Sequence, residues 1–252
     1  MDYRKLVDAS ILAGEIMLSG GAETYRVEDT LSRILKVSGV QNYDAIVTGN
    51  SIIVTISGKH VETITAARCL DTRSTDLGKV YRVNSVSRAF CSGELTLDEA
   101  FEELKQIKEH ESYSTLMKYF GDIGTVVFFI VLLGGLKMDF LIASIDGIVV
   151  ATCIALLKKI NVNTFFVNAI SAFFIAFTTM SIVNHFGVVI HRDIVISGAI
   201  LPLVPGVAIT NAIRDTLQND YMSGGARAIE AFVMAVAIAV GIGVGLSVYP
   251  LL

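Results

Sequence analysis

Apolar positions over the first 110 residues recur with two periods, one of about 3.6 residues and one of two. Leu6, Ala9 and Ala13 follow the helical spacing, and alternating runs come later. These periods are typical of amphipathic helices and of half-buried strands. They predict four helices and three strands, at about 2–19, 23–39, 43–48, 51–57, 61–68, 75–92 and 97–110. Residues 1–115 are therefore expected to form a small α+β domain.

Beyond residue 115 the pattern becomes almost continuously apolar. Five segments of 18 to 22 residues each have the length that crosses ~30 Å of hydrocarbon as a helix. They lie at about 116–136, 140–157, 162–183, 194–213 and 231–252. The fold class expected for the chain is an α+β cytosolic domain followed by an all-α polytopic membrane domain, residues 116–252, of five transmembrane helices.

The composition agrees with this division. The chain has 252 residues, of which 53% are hydrophobic, and its mean hydropathy is +0.62. Residues 1–118 hold 31 of the 44 charged side chains. Such values exclude a disordered chain, and a net charge of −4 offers no basic patch for a nucleic acid. The three cysteines form no CxxC pair, and no metal-ligand or cofactor motif occurs, so no metal and no cofactor are expected.

The charges also predict an orientation in the membrane. The amino-terminal sequence lacks the long apolar stretch of a secretory signal, so the first domain is expected to stay in the cytosol. The inner loops then carry four basic residues and the outer loops two, which satisfies the positive-inside rule. These residues are Lys158, Lys159, Arg214 and Arg227 inside, and Lys137 and Arg192 outside. We expect a multi-pass protein of the cytoplasmic (inner) membrane with its C-terminus outside.

Two polar side chains inside the apolar segments are candidates for function. Asp146 lies seven positions into the second segment, where a charged carboxylate costs roughly 2.5–3.5 kcal/mol. It is either a proton carrier or a structural partner of a neighbouring helix. Asn168 shares roughly one face of the third segment with Ser171 and Thr178, and that face either lines a path or joins two helices.

The fourth segment contains a predicted break. Pro202 and Pro205 remove two backbone donors near its middle, and Gly206 loosens the same turn. The alternatives are a simple proline kink and a broken helix whose second half points its N-terminus at an anionic substrate group. Beyond the break, a polar stripe of Asn211, Arg214, Asp215 and Gln218 is expected to line a water-filled path toward the cytosol.

The last segment contains Gly241-Ile-Gly243-Val-Gly245, which looks like a nucleotide-binding loop. No strand precedes it, so close helix packing through Gly241 and Gly245 is the better interpretation. His185 and His191, six residues apart, fit no zinc pattern.

Two stretches carry a resemblance to a known family. The first is Ser19-Gly-Gly-Ala-Glu23-Thr24-Tyr25-Arg26-Val27-Glu28-Asp29-Thr30. The second runs from Leu201-Pro202-Leu-Val-Pro205-Gly206 through Thr210-Asn211-Ala-Ile-Arg214-Asp215 to Asp220, Ser223-Gly224 and Glu230-Ala231. They resemble the amino-terminal and membrane signatures of the threonine/serine exporter family, and with the order of domain and spans the resemblance covers essentially the whole chain.

The resemblance implies a proton-driven exporter of small hydrophilic metabolites. Fused members continue into a second set of about five spans, whereas this chain stops at Leu252. It therefore resembles the larger, YjjP-like subunit of the split form, whose described role is succinate export together with a small five-helix YjjB-like membrane subunit. The substrate site is then expected to be shared with that partner.

The main hypothesis is thus a secondary exporter of a small carboxylate, such as succinate, threonine or serine, and not an enzyme. Arg214 would attract anions, and Asp146 would carry the proton. In a second hypothesis, the soluble domain is a membrane-anchored hydrolase-like enzyme and the spans are its anchor. In a third, the soluble domain is regulatory, and Glu23, Thr24, Tyr25, Arg26 and Glu28 form a cytosolic gate or a partner interface. A gate must lie beside Arg214.

Overall fold

A computed structural model of the chain describes residues 1–59, 61–70, 75–110, 113–186 and 190–248. Contacts divide the chain into two compact units. The first comprises Met1–Ser112 and Val207–Ile229, and the second comprises Tyr113–Gly206 and Glu230–Leu252. The chain therefore returns to the first unit for one short stretch. The predicted division into domains 1–115 and 116–252 was based on apolar content, whereas the two units are defined by contacts. The predicted domain boundary therefore stays a prediction.

The first unit contains the predicted helices and the predicted three-stranded sheet. Its elements are α1 (Tyr3–Ser19), α2 (Thr24–Lys36), β1 (Asn42–Val47), β2 (Ser51–Gly58), β3 (Val61–Cys69), α3 (Leu77–Ser92) and α4 (Leu97–Glu109). The sheet is an antiparallel meander in the order β1-β2-β3. One face of β2 buries Ile52, Val54 and Ile56 in the core. A Cβ added at Gly14 would lie 2.9 Å from Ile52 Cδ1, so glycine lets α1 approach the sheet closely.

The remaining helices are long and apolar or form a bent pair. They are α5 (Thr115–Leu132), α6 (Lys137–Lys159), α7 (Thr164–Phe186), α8 (Arg192–Ala199), α9 (Gly206–Leu217) and α10 (Tyr221–Val248). Within the described residues, α5, α6, α7 and α10 are each long and apolar enough to cross a membrane. The count becomes five if the bent pair of α8 and α9 forms one span. The chain is therefore mostly helical with four or five candidate spans, where the sequence predicted five.

The fourth predicted segment is broken rather than continuous. Helix α8 ends at Ala199, a short 3-10 turn occupies Leu201–Leu203, and α9 begins at Gly206. Val204, which precedes Pro205, has an extended backbone with φ −67° and ψ 128°. A residue before proline avoids the helical region because the proline ring clashes with it. The sequence thus ends one helix and starts another here.

The last helix differs from its prediction at its start. It begins at Tyr221, ten residues before the predicted start, because the Asp220 carboxylate caps it by accepting from Ser223 N at 3.0 Å. A prediction from apolar content alone misses these polar first turns. A Cβ on Gly224 would lie 3.0 Å from Ala212 O, so glycine at this position lets α10 lie close to α9. The predicted final residues, 249–252, lie outside the described part of the chain.

Candidate functional site

The turn between α1 and α2 places the first family-like motif at the start of a helix. Gly21 has φ +91°, which favours glycine, and the following amide, Ala22 N, donates to Met17 O at 3.0 Å. This arrangement ends α1 and reverses the chain. Glu23 then occupies the N-cap position of α2, and Thr24 is its first helical residue. The polar residues of the motif are thus fixed by a tight turn.

Helix α9 and the first turns of α10 hold this turn through its backbone. Asn211 Nδ2 donates to Gly21 O at 3.0 Å, and Arg227 Nη2 donates to Ala22 O at 3.2 Å. Both residues are buried. The two carbonyl oxygens of the turn therefore accept hydrogen bonds from side chains of α9 and α10 that lie within the second family-like motif.

Charged side chains join the same elements. Glu23 forms ion pairs with Arg214 through Oε1 and, at 3.3 Å, with Arg26 through Oε2. Beside it, Asp215 Oδ2 accepts from Thr24 Oγ1 at 3.2 Å and lies 3.2 Å from Arg227 Nε. The Asp215 and Arg227 side chains are 1% and 5% exposed. We call this group the charged cluster; its members are Glu23, Thr24, Arg26, Asn211, Arg214, Asp215 and Arg227.

The charged cluster unites residues that are about 190 positions apart in the sequence. It brings residues of both family-like motifs together inside the first unit, and Glu23 lies beside Arg214. Tyr25 is exposed and has no part in these contacts. Glu28 faces the sheet, where its Oε1 accepts from Val47 N at 3.0 Å, and burial raises the pKa of this carboxyl above its usual range. Of the five predicted gate residues, three therefore join the cluster.

The second unit contains a separate buried carboxylate. Asp146 is fully buried on α6, and its Oδ2 accepts from Thr179 Oγ1 on α7 at 2.7 Å. Its other oxygen, Oδ1, has no hydrogen-bond partner among the described residues. Asn168, also on α7, donates weakly to Leu203 O at 3.5 Å, next to the break. Pro202 and Pro205 belong to the break itself, and a Cβ on Gly206 would meet no atom within 4 Å.

Sequence reasoning missed three residues at these places. Thr179, rather than Thr178 of the predicted face, contacts Asp146. Arg227 was predicted only as a basic residue of an inner loop, although it is almost fully buried in the charged cluster. Ser223, four residues before it, is also buried, and its Oγ has no partner among the described residues. The i, i+4 spacing of Ser223 and Arg227 was the available signal for a polar helix face.

A second buried carboxylate of α6 has a capping role. Asp139 accepts from Leu136 N at 2.7 Å, from His191 N at 2.9 Å and, at 3.0 Å, contacts His191 Nδ1. Leu136 and His191, which make these contacts, are the N-cap residues of α6 and α8. Asp139 thus satisfies the N-terminus of its own helix and ties the segment before α8 to it. His191, which fitted no zinc pattern, contacts a carboxylate.

Four or five apolar helices, a carboxylate buried among them and a proline-broken segment are features of a polytopic membrane protein of the transporter class. Comparison with known families makes this specific. The family model described as "Putative threonine/serine exporter" matches residues 8–249, and the chain belongs to that family. The resemblance seen in the two motifs is confirmed, and membership of an exporter family supports a membrane transport function rather than an enzymatic one.

One curated relative is a "Probable threonine/serine exporter" of Mycobacterium tuberculosis. It is 23% identical to this chain over 235 residues, which cover 92% of the chain. The same region covers 44% of the relative, so the chain spans less than half of that protein's length. No solved structure matches the chain.

Proposed function

We propose that this protein is a subunit of a secondary exporter that moves small carboxylates across the cytoplasmic membrane, driven by the proton gradient. The substrates are succinate or hydroxy amino acids such as threonine and serine. The observation that carries the proposal is Asp146, a fully buried carboxylate in an apolar helix of an exporter-family protein. Keeping such a buried carboxylate charged has a large free-energy cost, and binding a proton removes that cost.

The surroundings of Asp146 suit a proton carrier. Thr179 donates a hydrogen bond to Oδ2 and stabilises the charged form, while Oδ1 is free to take the proton. No basic side chain forms a contact with Asp146 in the described residues, so protonation breaks no ion pair. Loading and release of one proton then change the charge of the helix interior by one unit, which is the coupling step that an exporter needs.

The break before α9 supplies the proposed substrate contact. The first amides of a helix lack partners within that helix, and the helix dipole favours an anion there. A Cβ at Gly206 would meet no atom within 4 Å, and because the Gly206 amide itself donates to Val204 O at 2.8 Å, the proposed carboxylate contact is assigned to the amides that follow Gly206 in α9. Asn211, Arg214 and Asp215 follow on the same helix. These three residues are proposed to contribute to the translocation path, and Asn168 on α7 is proposed as a separate translocation residue within the second unit.

The charged cluster is proposed to be the cytosolic gate. A gate formed by the first motif must lie beside Arg214, and the ion pair of Glu23 with Arg214 supports this assignment. In this proposal the amino-terminal domain, residues 1–115, lies in the cytosol and the C-terminus lies outside. Opening requires the contacts of Glu23 with Arg214 and Arg26 to separate, which an incoming substrate carboxylate can drive.

A small five-helix membrane subunit is proposed as the partner. More than half of the mycobacterial relative lies outside the region that matches this chain, so that protein has room for a second membrane half. A partner inserted with the opposite orientation gives the inverted arrangement common among transporters. The substrate site is then shared between the two chains.

The test is export from proteoliposomes that contain the chain and its partner subunit. We expect Asp146→Asn to reduce proton-driven export of succinate or threonine at least tenfold, because an amide cannot carry the proton. Exchange of internal for external substrate, which needs no net proton movement, is expected to persist. The matched control is Asp193→Asn, an exposed carboxylate at the start of α8. Unchanged proton-driven export in Asp146→Asn would contradict the proposal.

A further inference from the structure

The Glu23 carboxylate has the surroundings of a bound ligand. Its two oxygens contact different guanidinium groups, Oε1 that of Arg214 on α9 and Oε2 that of Arg26 on α2. The Glu23 side chain is only 10% exposed, whereas Arg26 and Arg214 are 47% and 55% exposed. Two half-exposed arginines thus hold one covered carboxylate between them. Guanidinium groups are well suited to bind carboxylates because their planar donors match the two oxygens.

The backbone position adds to the attraction for an anion. Glu23 is the N-cap residue of α2, but its side chain makes no capping hydrogen bond. The positive end of the helix dipole therefore acts on this place together with the two arginines. The three contributions act on any carboxylate that occupies the position, whether it belongs to the chain or to a small molecule.

Other contacts join the elements without Glu23. Asn211 and Arg227 donate to the carbonyls of the α1–α2 turn, and Thr24 donates to Asp215. The interactions of Arg227 and Thr24 are buried, whereas the ion pairs of Glu23 are only partly buried. The Glu23 carboxylate can therefore leave the arginines while α9 stays attached to the turn.

We propose that Arg26 and Arg214 form a binding site for the carboxylate of the exported molecule, and that Glu23 occupies it as a built-in competitor. The inference rests on the proposed function for the identity of the ligand. A cytosolic carboxylate replaces Glu23 by competition and in doing so releases the Glu23–Arg214 ion pair. In the wild-type protein, Glu23 has left the arginines in only a fraction of the molecules. The apparent affinity for the ligand is reduced by that fraction. The ligand class is a small organic carboxylate, and dicarboxylates and amino acids share the recognised group.

The experiment measures binding, not transport. Succinate and L-threonine are titrated by calorimetry into the purified full-length chain in detergent, and ethanolamine, which has no carboxylate, is the negative probe. We expect Glu23→Ala and Glu23→Gln to lower the Kd for succinate or threonine at least tenfold relative to wild type. Adding Arg214→Ala to either variant is expected to abolish the gain. Asp29→Ala is the matched control, because Asp29 is an exposed acid of the same helix whose partner is Arg33.

A second measurement uses the wild-type protein and so does not depend on the folding of any variant. Phenylglyoxal modifies accessible arginines, and mass spectrometry measures the rate at Arg214 and Arg26. Protection of both by succinate or threonine, and not by ethanolamine, is expected. An unchanged Kd in folded Glu23 variants, a gain that survives Arg214→Ala, or no protection would each overturn the inference. Carboxylate binding without any export by the complex would instead contradict the proposed function and leave this site standing.

Discussion

Two of the buried carboxylates, Asp146 and Asp215, differ in their partners. Asp215 lies 3.2 Å from Arg227 Nε and also accepts from Thr24, whereas Asp146 accepts from one neutral hydroxyl, that of Thr179. A buried ion pair keeps both groups charged, and removing one member leaves the other charged and buried. The same residue type is thus structural in one place and suited to proton binding in the other.

This difference predicts opposite effects on stability. Asp215→Ala leaves the Arg227 charge buried without its carboxylate, which typically costs about 3–5 kcal/mol. Asp146→Asn removes a charge that has no basic partner in the described residues, so we expect little or no loss. Thermal unfolding of both variants in one detergent, followed by circular dichroism, measures this. An equal fall in Tm for the two variants would contradict the assigned roles.

A second residue-level prediction concerns the capping box of α4. The Thr96 backbone amide and hydroxyl both donate to Glu99 Oε2 at 2.8 Å, and these hydrogen bonds lower the pKa of the Glu99 carboxyl. A group with a lowered folded-state pKa stabilises the fold above its unfolded value, about 4.3, and loses that contribution as the pH falls through the folded value.

We therefore expect Glu99→Gln to lower the Tm at pH 7 and to have a progressively smaller effect below about pH 4.3. Thermal unfolding across this pH range measures the difference between variant and wild type. Glu103→Gln, at an exposed position of the same helix, is the control and should change the Tm little at either pH. A difference from wild type that does not shrink at low pH would show that the capping hydrogen bonds are not its cause.

At the scale of elements, glycine brings α10 close to α7. A Cβ on Gly241 would overlap the backbone oxygen of Ala169, and one on Gly245 would lie 2.7 Å from Phe173 O. A Cβ on Gly243 would meet nothing within 4 Å. Helices in membranes associate through such small residues because the backbones can then approach. The packing predicted for Gly241 and Gly245 is therefore present, and the glycine between them is a natural control.

We expect Gly241→Ala to destabilise the chain by about 1–3 kcal/mol, since backbone atoms must move to make room for one methyl group. Gly243→Ala should be neutral or slightly stabilising, because alanine is the better helix former by about 1 kcal/mol. The comparison uses thermal unfolding and the yield of folded protein. Equal behaviour of the two alanine variants would argue against close packing at Gly241.

The break before α9 is the second element-level feature with a testable consequence. Replacing Pro202 and Pro205 together by alanine removes the clash that ends the helix and restores two backbone donors. We expect the helix to continue through the break and export to fall at least tenfold, with the amount of protein in the membrane unchanged. Val204→Ala, between the two prolines, is the control and should retain export. Full export in the double variant would mean that the break has no role in transport.

At the scale of the whole molecule, the proposed orientation can be tested directly. In a chain whose three cysteines are replaced by serine, a cysteine introduced at Arg192 should react with a membrane-impermeant maleimide on intact cells. A cysteine at the exposed Glu94 should react only in inverted vesicles. The physical reason is the excess of basic residues on the proposed inner side. Labelling with the sides exchanged would reverse the assignment of residues 1–115 to the cytosol.

The sequence by itself determined the local structure of this protein. The helices, strands and apolar segments follow from the periodicity and type of residues that are close together along the chain. The Thr96–Glu99 capping box and the break at the prolines depend on near neighbours in the same way. The family also followed from sequence, because two long motifs carry it. These features depend on neighbours along the chain, and the structure departs from them mainly at ends such as the start of α10, where a polar cap replaces the apolar signal.

Only the tertiary structure decided which polar side chains meet. Glu23 and Arg214 are 191 positions apart, and nothing local to either residue determines their contact. The partner of Asp146 is Thr179 and not Thr178, because one residue along a helix turns the side chain by about 100° and helix packing selects the face. Arg227, a loop charge by sequence, became a buried partner of Asp215 for the same reason: the rotation and approach of helices are set by packing over the whole surface.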